Sequence, residues 1–327
     1  MRVLVTGGAG FVGSHVVDRL RAGGHEPRIF DRVQSAYHLN GDVDSALGDV
    51  LDPDAVRAAI DGCDAVLHLA AVADVNAVVA DPMRAEAVNV RGTQILLEAA
   101  RDAGVARFAY ASTVWVYGSA DGGGTVAEES PLTLPAHLYT ATKLAGEMYC
   151  RSYDELFGLP HTILRFGIPY GPRSREAAVV AAFVARASRG EALTIAGDGR
   201  QTRQFVYVED LAGGCVAALA PPAAGRVYNL VRDESVSIRQ IADTVRDLVA
   251  KVPVVHGPER PVDVRIGHVS GERAAAELGW RATTPFAGGV SAYVDWLADT
   301  SGSPVARAAS RIDGSAAAVF AQDPAEL

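Results

Sequence analysis

RVLVTGGAGFVG, residues 2–13, is the stretch that decides the fold of this 327-residue chain. A short apolar run leads into a turn that contains Gly7, Gly10 and Gly13, and an amphipathic segment over residues 11–23 follows. Glycines allow a tight turn and let backbone N–H groups at the start of a helix approach a phosphate closely. The stretch therefore predicts a strand, a phosphate-binding turn and a helix.

A second run, PRIFD, ends in Asp31, 18 residues beyond Gly13. A carboxylate at the end of the second strand accepts hydrogen bonds from the ribose hydroxyls of a dinucleotide. Its charge disfavours a 2′-phosphate, so the pattern favours NAD, and the neighbouring Arg32 leaves NADP open. The alternative is an ordinary turn beside a solvated strand end, which the two features in this order make the weaker interpretation.

Short apolar runs alternate with helical patterns over the first two thirds of the chain, which predicts a parallel sheet with helices on both faces. RVYNLV, residues 226–231, is expected to rejoin that sheet. The predicted fold is α/β, a Rossmann doubly wound parallel sheet with a smaller interleaved α/β substrate-binding domain. The predicted boundaries are 1–166 plus 205–231 for the dinucleotide-binding domain, 167–204 plus 232–297 for the substrate-binding domain, and 298–327 for a tail.

Composition narrows the class of protein. A net charge of −9 argues against a nucleic-acid partner, since a polyanion needs a basic face. The cysteines at 63, 150 and 215 form no CxxC pair, so neither a metal site nor a redox couple is expected. The start of the chain has no secretory pattern, and no run is long enough to span a membrane. We therefore expect a cytoplasmic protein without a membrane partner.

Tyr139 and Lys143 lie four residues apart in LYTATKLAGE, and on a helix both would project from one face. A phenol is a weak base at neutral pH, but a nearby ammonium and an oxidised nicotinamide both favour the phenolate. Of the 30 lysine and arginine residues in the chain, only Lys143 and one other are lysines. A lysine kept in a chain that otherwise uses arginine favours a functional role for Lys143. The alternative is a surface tyrosine with an i,i+4 neighbour.

RFAYAST, residues 107–113, places Ser112 and Thr113 at the end of the fifth strand, the edge where ligands of such sheets bind. A hydroxyl there can hydrogen-bond a reacting oxygen and pass its proton toward Tyr139. The alternative role for Thr113 is a cap at the strand end.

TGGAGFVGSH, HLAA, NVRGT, STVWVYG, YTATK, LRFGIPYGPR and GDGRQTRQFVYVEDL, in this order over residues 1–297, resemble the NAD-dependent epimerase/dehydratase family, the extended short-chain dehydrogenases that act on nucleotide sugars. The resemblance implies NAD as cofactor, a catalytic set of Thr113, Tyr139 and Lys143, and a substrate diphosphate held by Arg203 and Arg260. The cofactor contacts that it implies, with Gly13 added from the turn, are Gly7, Gly10, Phe11, Val12, Gly13, Asp31, Asp49, Val50, Leu69, Ala70, Ala71, Asn89, Tyr139 and Lys143.

Two departures from the family pattern bear on the reaction. The 4,6-dehydratases carry an Asp-Glu pair after the catalytic threonine, whereas this chain has Val114 and Trp115, so no acid is in place for elimination. The family stretch LRYFNVYGP reads LRFGIPYGP here, with Gly167 and Ile168 and without the asparagine that lies near the sugar nucleotide. We therefore expect 4-epimerisation of a UDP-hexose, with the sugar itself undetermined.

Alternatives to the epimerase remain at this point. One is an NAD(P)-dependent nucleotide-sugar reductase or dehydrogenase with net turnover of cofactor, and a remote one is a non-catalytic NAD-sensing protein. The resemblance also implies a homodimer through helices over 82–103 and 139–157, with Ala145 and Met148 in the contact. The alternative is that these faces pack on the sheet.

Overall fold

The fold was obtained as a computed structural model that describes residues 1–39, 41–118, 124–135, 137–259 and 267–300. The strands are β1 (Arg2–Thr6), β2 (Glu26–Asp31), β3 (Asp44–Leu47), β4 (Ala65–His68), β5 (Arg107–Thr113), β6 (Thr125–Val126), β7 (His161–Phe166), β8 (Ile168–Tyr170), β9 (Leu193–Ala196), β10 (Thr202–Arg203), β11 (Phe205–Tyr207), β12 (Arg226–Leu230), β13 (Val236–Ser237), β14 (Val254–Gly257) and β15 (His268–Val269). The helices are α1 (Phe11–Ala22), α2 (Pro53–Ile60), α3 (Val75–Ala80), α4 (Pro82–Glu86), α5 (Gly92–Ala103), α6 (Leu138–Phe157), α7 (Val179–Ser188), α8 (Val208–Ala217), α9 (Ile238–Leu248), α10 (Glu272–Leu278) and α11 (Phe286–Thr300). A π-helical turn covers Ala87–Arg91, and 3₁₀ turns cover Val114–Tyr117 and Pro221–Ala223.

Seven strands form a central sheet in the order β12-β7-β5-β4-β1-β2-β3, and every neighbouring pair is parallel. The carboxyl ends of the strands therefore meet at one edge, where Thr6, Asp31 and Thr113 lie. The predicted Rossmann sheet is confirmed, including the return of RVYNLV as edge strand β12.

Both faces of the sheet are covered, which explains the nearly continuous apolar runs of its strands. Val3 and Val5 of β1 pack toward α1 and α8, whereas Leu4 between them packs toward α2, α5 and α6. This alternation follows from the two-residue period of a strand. It separates the apolar residues of the sheet into two cores.

A third core lies among α7, α9 and α11 and includes Val184, Ile195, Ile241 and Val290. Three small sheets accompany it: β8 with β11, β9 with β14, and β10 with β13. β11 pairs with β8 rather than with the central sheet, while α8, which follows it, packs on α1. The predicted domain boundaries stay a prediction, and residues 301–327 of the predicted tail lie outside the described residues.

The three cysteines are buried free thiols. Within the described ranges no helix is long and apolar enough to cross a bilayer. In the same ranges no group of three or more His, Cys, Asp or Glu side chains is arranged to hold a metal ion.

Candidate active site

The glycine turn leaves no room for side chains at two of its three predicted glycines. A Cβ on Gly13 would lie 2.1 Å from the carbonyl oxygen of Gly7, and a Cβ on Gly7 would lie 2.9 Å from Cα of Ala70. Gly7 also has φ +71°, a left-handed conformation that favours glycine. Close packing of turn, helix and β4 thus brings the backbone at the start of α1 to the sheet edge, as diphosphate binding requires.

Asp31, the last residue of β2, lies beside this turn and contacts its backbone. Its carboxylate accepts hydrogen bonds from the backbone N–H groups of Ala9, at 3.1 Å, and Arg32, at 2.7 Å. Burial raises the pKa of Asp31, and these backbone donors oppose that rise. The structure therefore brings the predicted ribose-binding carboxylate to the glycine turn.

Asp49 and Val50 lie on the next connection along the edge. The Asp49 carboxylate accepts hydrogen bonds from Leu51 N, at 3.0 Å, and from the Arg84 guanidinium, at 2.9 Å. Burial acts to raise the pKa of Asp49, but these two donors outweigh it and the net direction is down. Val50 is buried and packs so closely on α5 that a Cβ on Gly92 would lie 2.8 Å from its side chain.

Asn89 lies in the π-helical turn that interrupts the predicted helix over 82–103. Its side chain is buried and bonds Val72 in both directions, accepting from the backbone N–H at 2.7 Å and donating to the carbonyl oxygen at 3.0 Å. It also donates to Thr142 Oγ1 at 3.0 Å, and Thr142 in turn donates to the carbonyl oxygen of Tyr139. Asn89 thus ties the segment after β4 to the first turn of α6.

A second chain of hydrogen bonds passes through His68, a residue that the sequence reasoning did not single out. Its Nδ1 lies 2.8 Å from Thr6 Oγ1 and its Nε2 lies 2.9 Å from Thr93 Oγ1, which donates to the carbonyl oxygen of Asn89. Burial lowers the pKa of His68 to about 3, so the ring is neutral. Its two hydrogen bonds connect β1 and β4 to α5. Its place as the first residue of the HLAA motif is the sequence feature that could have identified it.

Tyr139 and Lys143 project toward the end of β5, as the helix spacing predicts. Lys143 Nζ donates to the carbonyl oxygen of Ala111 at 2.9 Å and lies 6.0 Å from the centre of the Tyr139 ring. Thr113 ends β5, and its Oγ1 accepts from Trp115 N at 3.2 Å. The neighbouring Ser112 hydroxyl instead donates to Glu147, so Thr113 carries the hydroxyl that remains for a substrate.

Burial sets the acid–base properties of this pair. It raises the pKa of Tyr139 to about 12, against an opposing effect of the Arg175 charge. It lowers the pKa of Lys143 to about 8. The expected shift of Tyr139 toward phenolate is therefore not produced by the chain's own residues, because loss of hydration outweighs the charges around the phenol.

Trp115 and His137 form an aromatic wall beside Tyr139. The Trp115 ring meets the His137 ring edge-on at 4.8 Å and the Tyr139 ring at 6.1 Å between centres. His137 caps α6, since its Nδ1 accepts from Thr140 N at 3.3 Å. Burial lowers the pKa of His137, so a neutral imidazole lies here. Sequence reasoning singled out Trp115 but missed His137, which precedes Tyr139 by two residues.

Of the two arginines predicted to bind the substrate diphosphate, one lies among the described residues. Arg203 lies on β10 and donates to the carbonyl oxygen of Thr202 at 2.7 Å, whereas Arg260 lies outside the described residues. Of the remaining cofactor predictions, Phe11 and Val12 begin α1, and Leu69 and the two alanines at 70 and 71 follow β4 at the same edge.

The segment that lacks the family asparagine is tightly packed. A Cβ on Gly167 would lie 2.9 Å from the carbonyl oxygen of Gln204. Ile168 pairs with Phe205 in the β8–β11 ladder and packs against the third core. An apolar strand therefore occupies this stretch.

Comparison with known proteins agrees with this geometry. A family model described as the NAD dependent epimerase/dehydratase family matches residues 3–231. The chain belongs to this family. It is 35% identical, over 92% of its length and the whole of the relative, to UDP-glucose 4-epimerase of Mycolicibacterium smegmatis (strain ATCC 700084 / mc(2)155).

Two solved structures illustrate the range of the family. UDP-glucose 4-epimerase of Thermotoga maritima, solved with UDP-glucose, is 32% identical with a TM-score of 0.86, over 92% of this chain and 99% of that one. The dTDP-glucose 4,6-dehydratase of Streptomyces venezuelae, solved with NAD bound, is 31% identical with a TM-score of 0.85, over 93% and 100%. This epimerase/dehydratase uses NAD, and the glycine turn and Asp31 fit that cofactor.

Proposed function

We propose that this chain is a nucleotide-sugar epimerase that inverts C4 of a UDP-linked hexose by transient oxidation. The observation that carries the proposal is the apolar side chain against Tyr139. Trp115 packs on the catalytic tyrosine, and residues 114–118 contain no carboxylate. Elimination needs an acid for the departing hydroxyl and a base for the ring proton. Oxidation followed by re-reduction needs one acid–base group, which Tyr139 supplies, and a hydride acceptor.

The roles of the chain's residues follow from their positions. Tyr139 as phenolate takes the proton of the 4-hydroxyl, and Thr113 donates a hydrogen bond to the same oxygen. Bound NAD supplies the hydride acceptor, and its positive charge when oxidised favours the phenolate. Lys143 holds its ammonium beside the ring and orients the nicotinamide ribose. When the keto sugar presents its other face, Tyr139 would return the proton to the C4 oxygen and the bound cofactor would supply the hydride, so the reaction would consume no cofactor.

The chain's own residues do not place Tyr139 in the phenolate form that this mechanism needs. Burial keeps Tyr139 protonated in the chain by itself and keeps the Lys143 ammonium easy to deprotonate. A charge that arrives with the cofactor therefore has a large effect in this poorly hydrated site. We infer that binding of oxidised NAD is what activates the tyrosine.

Substrate recognition is proposed for the two arginines predicted from the resemblance. A guanidinium holds phosphate oxygens in a bidentate manner, which suits Arg203 and Arg260 to a nucleotide diphosphate. The Thermotoga maritima structure was solved with UDP-glucose, which supports a UDP-linked sugar here.

The proposed assembly is a homodimer in the cytoplasm. The helices expected to form the contact leave Met83 and Met148 76% and 44% exposed, with Leu156 and Phe157 also exposed at the end of α6. Exposed apolar side chains on neighbouring helices support association. Sedimentation of the protein at several concentrations tests it, and a monomer throughout contradicts it.

One experiment tests the function. The purified protein is incubated with UDP-glucose, UDP-N-acetylglucosamine and UDP-glucuronate and catalytic NAD, and the anomeric and ring protons are followed by NMR. A C4 epimer without net NADH is the expected result. A 4-keto-6-deoxy product instead identifies a dehydratase. In a second incubation with NAD in excess over the sugar, absorbance at 340 nm that rises in proportion to substrate identifies a dehydrogenase.

A further inference from the structure

Glu147 and Arg165 form a buried ion pair that the mechanism above does not use. Their side chains are 0% and 1% exposed, and two hydrogen bonds join them: Arg165 Nη2 to Glu147 Oε2 at 2.7 Å, and Nε to Oε1 at 3.0 Å. Removing two charges from water costs about as much as their attraction returns, so a buried pair is weak grounds for stability. A positioning role explains better why two charges lie inside this protein.

Glu147 contacts the end of β5, the strand that carries Thr113. Glu147 Oε1 also accepts the Ser112 hydroxyl at 2.5 Å, and Ser112 directly precedes Thr113. Glu147 lies one turn after Lys143 on α6, and Lys143 donates to Ala111 of the same strand end. Two neighbouring hydrogen bonds thus join the end of β5 to the helix that carries Tyr139.

The Arg165 side reaches the turn that follows Thr113. Arg165 Nη1 donates to the Tyr117 hydroxyl at 2.9 Å, and the guanidinium lies 4.9 Å from the centre of the Tyr117 ring. Tyr117 ends the 3₁₀ turn over 114–117 and donates to Asn229 Oδ1 of β12 at 2.7 Å. The residues on both sides of Thr113 are therefore held by the same ion pair.

We propose that Glu147, held in place by Arg165, is a positioning residue that fixes the Thr113 hydroxyl relative to Tyr139. Both groups act on one substrate oxygen, and they come from different elements, a strand end and a helix. Hydrogen transfer is sensitive to displacements of about 1 Å, so a rigid link between the two elements raises turnover without touching the substrate. The assay of this proposal rests on the proposed function.

Two double variants separate positioning from stability. Glu147→Met with Arg165→Met removes both charges and the acceptor of Ser112. Glu147→Gln with Arg165→Met also removes the ion pair but keeps an oxygen that accepts from Ser112. Because both replace a buried pair by neutral groups, neither leaves an uncompensated charge that would unfold the chain. Arg107→Met is the matched control, since Arg107 is a buried arginine at the other end of β5.

The expected result is a split between the two double variants. The Met/Met variant loses about 10- to 100-fold in kcat with KM and NAD affinity kept. The Gln/Met variant keeps the acceptor of Ser112 but lacks the Arg165 contacts, so its loss in kcat is smaller by at least about fivefold. Arg107→Met keeps its kcat. Full kcat in the Met/Met variant overturns the proposal, and so does an equal loss in both doubles or in the control.

Crystal structures give a readout that needs no substrate. Thr113 Oγ1 is expected to leave its 3.2 Å hydrogen bond with Trp115 N in the Met/Met variant and to keep it in the Gln/Met variant. An unmoved Thr113 in the Met/Met variant overturns the proposal. If the wild type turns over no nucleotide sugar, the proposed function fails, while these structures still decide the positioning role.

Discussion

Lys143 Nζ donates a 2.9 Å hydrogen bond to the carbonyl oxygen of Ala111, two residues before Thr113. The ammonium is buried, its hydrogen-bond partner is neutral, and among the residues that the structure describes no carboxylate forms an ion pair with it. A buried charge therefore lies beside Tyr139 without a counter-charge from this part of the chain. Functional residues that destabilise a fold in this way are common, because activity and stability make opposite demands on a buried site.

Lys143→Met is therefore expected to abolish turnover and to stabilise the fold at pH 7. Burial lowers the pKa of Lys143 from 10.5 to about 8, so the protonated lysine costs stability at pH values below 8. That cost shrinks as pH rises from 8 toward 10.5, where the unfolded chain also loses the proton. Urea unfolding at pH 7 should show a gain of about 1–3 kcal/mol for the variant, with a smaller gain at pH 10.

The other lysine provides the control for this measurement. Lys251 is exposed and pairs with Asp247 on the surface, so Lys251→Met should change stability by less than about 1 kcal/mol and leave turnover intact. A Lys143→Met variant that is less stable than the wild type at pH 7 would contradict the expectation.

Tyr139→Phe should lower kcat by about 10²- to 10⁴-fold while NAD remains bound, because the variant lacks the hydroxyl that exchanges the substrate proton. Turnover is measured by NMR, and cofactor binding is measured by fluorescence titration. Tyr149→Phe, a partly buried tyrosine of the same helix, is the control and should retain full turnover. Near-normal kcat for Tyr139→Phe removes Tyr139 from the proposed role.

His137→Asn tests whether the imidazole takes part in proton transfer. Asparagine also caps helices well, so this variant keeps an acceptor for Thr140 N and loses only the ring. We expect kcat within about threefold of the wild type, since the cap is what the imidazole provides. His137→Ala, which has no cap, should lose about 1 kcal/mol in thermal unfolding. A tenfold fall in kcat for the asparagine variant would assign the imidazole to the chemistry.

Gly13→Ala should prevent NAD binding and destabilise the fold, because its Cβ would lie 2.1 Å from the carbonyl oxygen of Gly7. Gly288→Ala in α11 is the matched control, since a Cβ there would lie 3.7 Å from the Pro285 side chain, an ordinary contact and the nearest among the described residues. Alanine is the better helix former by about 1 kcal/mol, so that variant should be as stable as the wild type or more stable. Calorimetry measures stability and titration measures NAD affinity; tight NAD binding by Gly13→Ala is the contrary result.

Patterns of local period and spacing predicted the sheet well. RVLVT, HTILRF and RVYNLV all lie in one parallel sheet, and the four-residue spacing of Tyr139 and Lys143 placed both side chains toward the end of β5. These features follow from the geometry of a strand or a helix, which a short stretch of sequence specifies by itself.

Other features depended on contacts between distant segments. The predicted helix over 82–103 contains a π-helical turn at Asn89, whose side chain bonds Val72 and Thr142. Both hydrogen-bond partners of Asn89 lie in other segments of the chain. A pattern of residues close together in the sequence therefore does not predict this irregular turn. The same limit explains why His137 and the buried pair of Glu147 and Arg165 were missed.

The sequence by itself determined the Rossmann sheet, the glycine turn followed by Asp31, and the placement of Tyr139 and Lys143 on one face of a helix, because each depends on residues near one another in the chain. Tertiary structure alone decided which hydroxyl of Ser112 and Thr113 remains for a substrate, and in which direction the pKa of Tyr139 moves. Both depend on burial and on partners 35 or more residues away. A hydrogen bond and a loss of hydration exist only once the chain has folded and brought those partners together.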